Sequence, residues 1–208
     1  MGRVVKAHDL LRVARTFSEA PAWVVHSLER APFVVVRRAS SVDGAIAVGI
    51  RGATRSERFG TWLDPRDVQE VLPPEAMRLR RPAGTRATLP AFALLEAIAP
   101  LCNASRCAWG PTGSVGFELA SGCETVTPSS DLDLLIRAEE RLDRIEARSI
   151  FDTLDKVARA HSTRIDVQIE TTEGAFSLAE FAHPGARVLL RGADGPRLVA
   201  DPWQARAA

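Results

Sequence analysis

Hydrophobic and polar positions recur along this chain with the two periods that distinguish strands from helices. Strict alternation over residues 164–170 predicts a half-buried strand, and the apolar residues of 130–137 predict a second, buried strand. Between them, apolar residues at roughly helical spacing over 141–161 predict a helix. This part of the chain is therefore predicted to fold as an α+β unit.

Similar patterns predict the remaining elements. Near the start of the chain, a helix over 21–30 precedes two strands, 33–38 and 45–51, which a Ser-Val-Asp-Gly turn joins as a hairpin. A short helix is expected to begin at Pro65, with Asp64 as its N-cap. The other predicted elements are helices over 91–100 and 177–182 and a terminal hairpin of strands 187–191 and 197–200.

A linker is predicted over residues 73–90, which are rich in proline, arginine, glycine and threonine. We therefore predict two domains, a small basic α+β recognition domain over 1–82 and a catalytic domain over 83–208. The charge distribution supports this division. Residues 1–90 carry 15 Lys/Arg and 9 Asp/Glu, whereas residues 91–208 carry 12 and 17. A basic amino-terminal part suits an anionic partner, and an acidic carboxyl-terminal part suits metal ions.

Composition indicates the class of protein and its compartment. The chain has 208 residues, of which 46% are hydrophobic and 25% charged, as in ordinary globular proteins. We find neither an apolar run long enough to span a bilayer nor a secretion signal, so a cytoplasmic protein is expected. The three cysteines, Cys102, Cys107 and Cys123, have no metal-type spacing and are expected to be free thiols.

Candidate phosphate chemistry begins in the stretch Trp-Gly-Pro-Thr-Gly-Ser-Val-Gly over residues 109–116. This stretch predicts a glycine-rich turn that opens a short helix. The backbone N–H groups around Gly113 and Ser114 would then form a phosphate cradle at the start of the helix. Glu118, further along the same helix, is expected on the helix surface.

Carboxylates on the two predicted strands form the second candidate feature. Asp131 and Asp133 alternate with leucines and point to one side of their strand. Neighbouring carboxylates repel each other, and a divalent cation such as Mg²⁺ is the simplest compensation. If the strand containing Asp166 lies beside the first, three carboxylates could hold two metal ions for in-line phosphoryl transfer.

Three arginines, Arg51, Arg55 and Arg58, lie at and after the end of the second strand of the predicted hairpin, where a loop is expected. They are interpreted either as a solvated loop or as a clamp for phosphates or an acidic protein.

The order Gly-Ser, Asp-x-Asp and a later Asp on a strand resembles the nucleotidyltransferase superfamily, which contains DNA polymerase beta. The resemblance implies a mixed sheet flanked by helices for the catalytic domain. Ser114 and Asp131 stand 17 positions apart, further than in many superfamily members.

A closer resemblance covers nearly the whole chain. The cradle stretch, Ser-Asp-Leu-Asp-Leu-Leu at 130–135, the closing Gly-Pro-Arg-Leu-Val-Ala-Asp-Pro-Trp at 195–203, and the amino-terminal His-Asp-Leu-Leu and Val-Gly-Ile-Arg-Gly look like one family. It is the phosphoribosyl-dephospho-coenzyme A transferase of bacterial malonate decarboxylase, also called holo-acyl-carrier-protein synthase.

This resemblance implies transfer of the 2′-(5″-phosphoribosyl)-3′-dephospho-CoA group from its triphosphoribosyl precursor to a serine of the apo acyl carrier subunit, with release of pyrophosphate. Asp131, Asp133 and Asp166 are the implied ligands of two Mg²⁺ ions. Gly113, Ser114 and Arg51 are expected to bind the donor phosphates, and Arg55 and Arg58 to contact the carrier protein or the substrate. Neither nucleic acid nor a membrane is an expected partner.

Two alternatives stay open at the level of sequence. Another nucleotidyltransferase, acting on a protein or a small molecule, would use the same residues. A non-catalytic binding module with this fold would instead use its basic part as the binding face. Pyrophosphate release with the carrier protein, compared with ATP alone, discriminates between them.

Overall fold

The computed structural model describes residues 5–204, apart from 15, 16, 18, 53, 55, 106, 184 and 186. The chain divides into two compact units, Met1–Pro74 and Glu75–Ala208. The boundary between the units therefore follows Pro74, eight residues earlier than the predicted boundary after residue 82. The prediction of a linker over 73–90 is wrong in part, because this segment contains a short α-helix and the 3-10 helix Gly84–Thr88.

The amino-terminal unit is built on an antiparallel sheet. Within its described residues the sheet has five strands in the order β4-β3-β2-β1-β5. The elements are β1 (Leu10–Val13), α1 (Ala22–Arg30), β2 (Phe33–Val36), β3 (Ile46–Arg51), β4 (Arg58–Leu63), the 3-10 helix Pro65–Asp67 and β5 (Val68–Leu72). Helix α1 buries Val24 and Leu28 in the same core as the sheet residues Leu11, Val34 and Val48.

Local signals in this unit are confirmed. Strands β2 and β3 pair as the predicted hairpin, with Val35 opposite Gly49. The turn residues Asp43 and Gly44 have φ values of 51° and 76°, the left-handed region that asparagine, aspartate and glycine tolerate best. Asp64 caps the 3-10 helix by accepting from the backbone N–H of Arg66. Hydrogen bonds from the Arg66 side chain and backbone lower the pKa of Asp64 to about 2.

The carboxyl-terminal unit contains a mixed sheet. In the part of the chain that the structure describes, this sheet has six strands in the order β11-β10-β9-β8-β7-β6. The elements are α2 (Pro74–Met77), α3 (Pro90–Ala104), β6 (Ala108–Pro111), α4 (Gly113–Ser121), β7 (Leu132–Arg137), α5 (Arg144–Ala160), β8 (Ile165–Thr171), β9 (Gly174–Ser177), α6 (Leu178–Ala182), β10 (Val188–Gly192) and β11 (Gly195–Val199).

Strands β7 and β8 are parallel, whereas the other pairs in this sheet are antiparallel. A parallel pair needs a long crossover connection, and α5 supplies it. Asp143 is the N-cap of the helix and its side chain accepts from the N–H of Glu146 at 2.7 Å. The helix buries Ala147, Leu154 and Ala158. The prediction of an α+β chain with a mixed sheet and helices is therefore confirmed.

Five strands were not predicted from the sequence, namely β1, β4, β5, β6 and β9. They are short or interrupted by glycine, so their period-2 pattern is weak. Trp109 of β6 is a core residue, and its Nε1 donates to Asn103 Oδ1 at 3.1 Å.

The cysteines are free thiols, as expected. Burial raises the pKa of the Cys102 thiol to about 11. Among the helices that the structure describes, none has the length and apolarity needed to cross a bilayer.

Candidate active site

The parallel pairing of β7 with β8 sets two of the predicted carboxylates side by side. Asp133 and Asp166 are register partners, so their side chains leave the same face of the sheet. Asp133 is half-buried and Asp166 is exposed. The neighbouring Leu132, Leu134 and Ile136 are buried on the opposite face, which confirms the predicted alternation. The two strands are neighbours in the sheet, as the hypothesis of a shared carboxylate site required.

Asp131 directly precedes β7 and makes an ion pair that the sequence did not predict. The Arg164 side chain donates to both its oxygens, from Nε to Oδ1 at 3.0 Å and from Nη2 to Oδ2 at 2.8 Å. These hydrogen bonds raise the pKa of Arg164. Arg164 lies two positions before Asp166 in the alternating stretch, so the two side chains share a face of the strand. The sequence would therefore have predicted Arg164 beside Asp131 if the pairing of the two strands had been known.

Hydrogen bonds hold the starts of the two strands together. The N–H of Leu132 donates to the Arg164 carbonyl at 2.9 Å, and Thr163 Oγ1 donates to the Ser130 carbonyl at 3.0 Å. The backbone beneath Asp131 and Arg164 is therefore fixed. Only the exposed ends of these two side chains have room to rearrange.

The contacts of Asp131, Asp133 and Asp166 decide which of these carboxylates could bind a metal ion. Across the described residues, no group of three or more His, Cys, Asp or Glu is arranged to hold a metal ion. Asp133 and Asp166 nevertheless supply the hard oxygen donors that suit Mg²⁺, which proteins commonly hold with one or two carboxylates plus substrate phosphates. Asp131, the predicted third ligand, has both oxygens engaged by Arg164.

Gly113, the first residue of α4, lies against Asp133. Its φ is +58°, and a Cβ added to it would lie 2.8 Å from Asp133 Cγ and closer still to Oδ2. The N–H of the preceding Thr112 donates to the Asp133 carbonyl at 2.9 Å. The predicted glycine turn thus opens the predicted helix and brings the Asp133 carboxylate to the helix N-terminus, where the helix dipole favours negative charge.

Ser114 is the second residue of this helix and is half-buried. Its carbonyl accepts from Thr125 Oγ1 at 2.9 Å, which ties the start of the helix to the segment that follows it. Thr112, not Ser114, occupies the N-cap position. The Ser114 hydroxyl is therefore not used as a helix cap.

Glu118 corrects a prediction. It was expected on the helix surface but is 4% exposed. Its carboxylate accepts from the Nε and Nη2 groups of Arg86 and from the backbone N–H groups of Thr125 and Val126, the last two at 2.8 Å. Burial raises the pKa of Glu118, but these hydrogen bonds outweigh it, so the pKa lies below its ordinary value.

The contacts of Glu118 explain how the long spacing between Ser114 and Asp131 is accommodated. Arg86 also donates to the Val126 carbonyl at 2.7 Å, so Arg86 and Glu118 together hold residues 125 and 126 against α4. We call this pair the Arg86–Glu118 clamp. The extra residues do not separate the cradle from the carboxylates, because the clamp folds them back onto the helix.

Two further polar residues of β8, Gln168 and Glu170, lie along the same face as Asp166. Glu170 is the register partner of Arg137, whose 9%-exposed side chain makes ion pairs with Glu170 and Glu75. Gln168 stands between Asp166 and Glu170 and is half-buried. The face that carries the carboxylates therefore ends in a nearly buried ion-pair network.

The predicted arginine clamp belongs to the amino-terminal unit. Arg51 ends β3 and Arg58 begins β4, and the two are exposed register partners. Arg51 is the last residue of its strand, as the predicted strand 45–51 implies. The prediction of a loop is wrong for Arg58, which is a strand residue. Arg55 lies outside the described residues.

The unit boundary also changes the charge asymmetry. The unit Met1–Pro74 carries 11 Lys/Arg and 8 Asp/Glu, a smaller excess than over residues 1–90. Arg80 and Arg86 belong instead to the second unit, where Arg80 donates to the last carbonyls of α4. Part of the predicted basic surface is therefore structural.

Comparison with known proteins first gives the class of the chain. Residues 6–74 match the N-terminal domain and residues 78–202 the C-terminal domain of the family described as phosphoribosyl-dephospho-CoA transferase MdcG. The chain is therefore a transferase. These two matches nearly coincide with the two units of the structure.

Curated relatives agree over the full length. A phosphoribosyl-dephospho-CoA transferase of Pseudomonas putida is 43% identical over 201 residues, which cover 95% of each chain. Those of Azotobacter vinelandii and Pseudomonas aeruginosa are each 39% identical, over 97% and 95% of this chain and 95% and 93% of their own. The chain belongs to the phosphoribosyl-dephospho-CoA transferase family. No solved structure matches it.

Proposed function

We propose that this chain is a cytoplasmic, Mg²⁺-dependent transferase with a nucleotidyltransferase-like catalytic unit. It moves the phosphoribosyl-dephospho-CoA group from its triphosphoribosyl precursor to a serine of the apo acyl carrier subunit of malonate decarboxylase. The observation that carries the proposal is the register of Asp133 with Asp166, with Gly113 against the Asp133 carboxylate.

The residues suggest a division of labour. Asp166 is the more exposed of the paired carboxylates, so it can accept the proton of the attacking serine hydroxyl. The serine oxygen forms a bond to the α-phosphorus, the bond from that phosphorus to the β-phosphate oxygen breaks, and pyrophosphate leaves. The N-terminus of α4, with the Ser114 hydroxyl, holds the phosphates that leave.

Asp133 and Asp166 would hold Mg²⁺, with Asp131 as a third ligand once Arg164 releases it. When bound, the metal supplies neutralisation of the charge on the attacking and leaving oxygens. Two ions are proposed, as the three carboxylates suggest. The amino-terminal unit contributes recognition, with Arg51 assigned to the donor phosphates and Arg55 and Arg58 to the carrier protein.

The direct test is intact-mass spectrometry of purified apo carrier protein after incubation with this protein, Mg²⁺ and the triphosphoribosyl donor. The expected result is addition of one phosphoribosyl-dephospho-CoA group with release of one pyrophosphate. Parallel reactions replace the donor with ATP or omit the carrier protein. Modification of the carrier protein by ATP, with none by the triphosphoribosyl donor, would contradict the proposal.

Replacing either paired carboxylate should stop transfer without unfolding the protein. For D166N, loss of a general base is expected to lower kcat by about 10²–10⁴-fold. D133N should lose a comparable amount because it loses a metal ligand. For D166N the melting temperature should hold or rise, since the change removes like-charge repulsion between register partners. The control is D152N, which makes the same change at an exposed aspartate of α5 that pairs with Arg148. Activity of D133N or D166N close to that of the D152N control would contradict the assignment.

Arg58 is expected to attract the acidic carrier protein rather than the donor. R58A should raise the KM for carrier protein by about 2- to 5-fold at low salt, the range of exposed charge interactions. The effect should shrink as salt rises, because exposed charges are screened beyond about 10 Å at 0.1 M ionic strength. R12A, on exposed Arg12 of β1 in the same sheet, is the control. A change confined to the KM for the donor would assign Arg58 to the donor instead.

A further inference from the structure

The ion pair between Asp131 and Arg164 has features of a replaceable contact. The Arg164 side chain is 80% exposed and the Asp131 side chain 36% exposed. Exposed ion pairs contribute little to stability, so their loss is easily offset by another interaction. At the same time both carboxylate oxygens are occupied, which leaves Asp131 with little capacity to bind a cation while the pair persists.

The position of Arg164 makes this contact relevant to the reaction. The register of β7 with β8 puts Asp131 and Arg164 one strand position outside Leu132 and Ile165, and Asp133 and Asp166 one position inside them. A guanidinium thus stands at the end of a row of carboxylates, on a backbone fixed by the Leu132 and Thr163 hydrogen bonds. A guanidinium on a long exposed side chain binds phosphate as readily as carboxylate.

We infer that Arg164 and a divalent cation compete for Asp131, and that Arg164, once displaced, binds the triphosphate of the donor. This inference rests on the proposed function, because it requires a cation at Asp133 and a polyphosphate substrate. It assigns one residue two successive partners. Before substrate arrives, Arg164 balances the charge of Asp131; afterwards, it holds the phosphates that leave as pyrophosphate.

Binding measurements test both halves without relying on turnover. Mn²⁺ affinity is measured by titration calorimetry on the free protein, and affinity for inorganic tripolyphosphate is measured with Mg²⁺ present at fixed ionic strength. R164Q should bind Mn²⁺ about 1.5- to 5-fold more tightly, because the competitor for Asp131 is gone. It should bind tripolyphosphate about tenfold more weakly, because a charged donor is lost. R164K, which keeps the charge but not the two-pronged contact, should fall between wild type and R164Q on both probes.

A matched control is available on α5. Arg159 pairs with Asp155 at 2.7 Å with side chains 80% and 33% exposed, nearly the same distance and exposure as for the Arg164 pair. R159Q removes the same charge from the chain, so it should leave both affinities at the wild-type value. If R164Q matches R159Q for either probe, the Arg164 inference is wrong.

D133N separates this failure from failure of the proposed function. If D133N loses Mn²⁺ binding while R164Q behaves as wild type, only the role of Arg164 falls. If Mn²⁺ binding survives D133N unchanged, the metal lies elsewhere, and the proposed metal ligands and the Arg164 inference are both overturned.

Discussion

Replacing Gly113 with alanine is expected to abolish transfer while leaving the protein folded. The new Cβ would lie within 2.8 Å of Asp133 Cγ, a distance that carbon atoms of this kind do not adopt. The Asp133 side chain must move away, because the helix backbone is held by the Thr112 hydrogen bond to the Asp133 carbonyl. A displacement of about 1 Å in a reacting group costs about 10²-fold in rate, so a loss of at least that size is expected in kcat.

The backbone conformation of Gly113 also contributes, and a control isolates it. Its φ of +58° disfavours alanine by about 1–2 kcal/mol, a cost that would lower stability. Gly122, at the end of the same helix, has a φ of +71° and no atom within 4 Å of an added Cβ. G122A therefore carries the same conformational cost without contact with Asp133. Both variants should show similar melting temperatures, and only G113A should lose activity.

Crystals or NMR spectra of G113A would show whether Asp133 has moved. Should G113A and G122A lose activity equally, backbone strain rather than the position of the carboxylate would explain the loss. A fully active G113A would exclude Asp133 from the reaction.

The largest effect on stability is expected for Glu118→Gln. The Glu118 side chain is 3% exposed and that of Arg86 is 19% exposed. The substitution therefore removes the buried carboxylate from a largely buried guanidinium, which keeps only the exposed Glu124 and the Val126 carbonyl as acceptors. Breaking a buried ion pair from one side costs about 3–5 kcal/mol, and the partial exposure of Arg86 favours the lower end. At about 2–4 °C per kcal/mol for a chain of this size, the melting temperature should fall by about 6–12 °C.

The same guanidinium provides the control. Arg86 also pairs with Glu124 at 3.0 Å, but the Glu124 side chain is 73% exposed. E124Q should change stability by less than about 0.5 kcal/mol, as most exposed substitutions do. Equal melting temperatures for E118Q and E124Q would mean that the clamp does not stabilise the fold. Transfer activity of E118Q should also fall at temperatures where it is folded, because residues 125 and 126 lose their anchor.

The pH dependence of the clamp has a definite sign. The pKa of Glu118 is below its ordinary value in the folded protein, despite burial, because of its hydrogen bonds from Arg86, Val126 and Thr125. A group with a depressed folded pKa stabilises the fold above its unfolded pKa, about 4.3 for glutamate, and loses this contribution as pH falls through the folded value. The stability difference between wild type and E118Q should therefore be constant above about pH 5 and shrink in acid. Chemical denaturation at several pH values measures it.

The amino-acid sequence by itself determined most elements of the fold. Period-2 alternation identified β7 and β8, helical spacing identified α5, and a Pro or Asp at the first turn identified the starts of α1 and the 3-10 helix after Asp64. It also identified Gly113 as the start of α4. These features are local, because strand and helix periods and the φ preference of glycine act within a few residues.

The tertiary structure decided how distant segments combine. The register of Asp133 with Asp166 depends on the crossover through α5, which makes their strands parallel neighbours, and the Arg164 partner of Asp131 follows from that register. The burial of Glu118 depends on Arg86, which lies 32 positions earlier in a segment that resembles a linker. Short charged stretches carry no period that reports burial, so a glutamate on a short helix has the same local pattern whether it faces water or a buried arginine.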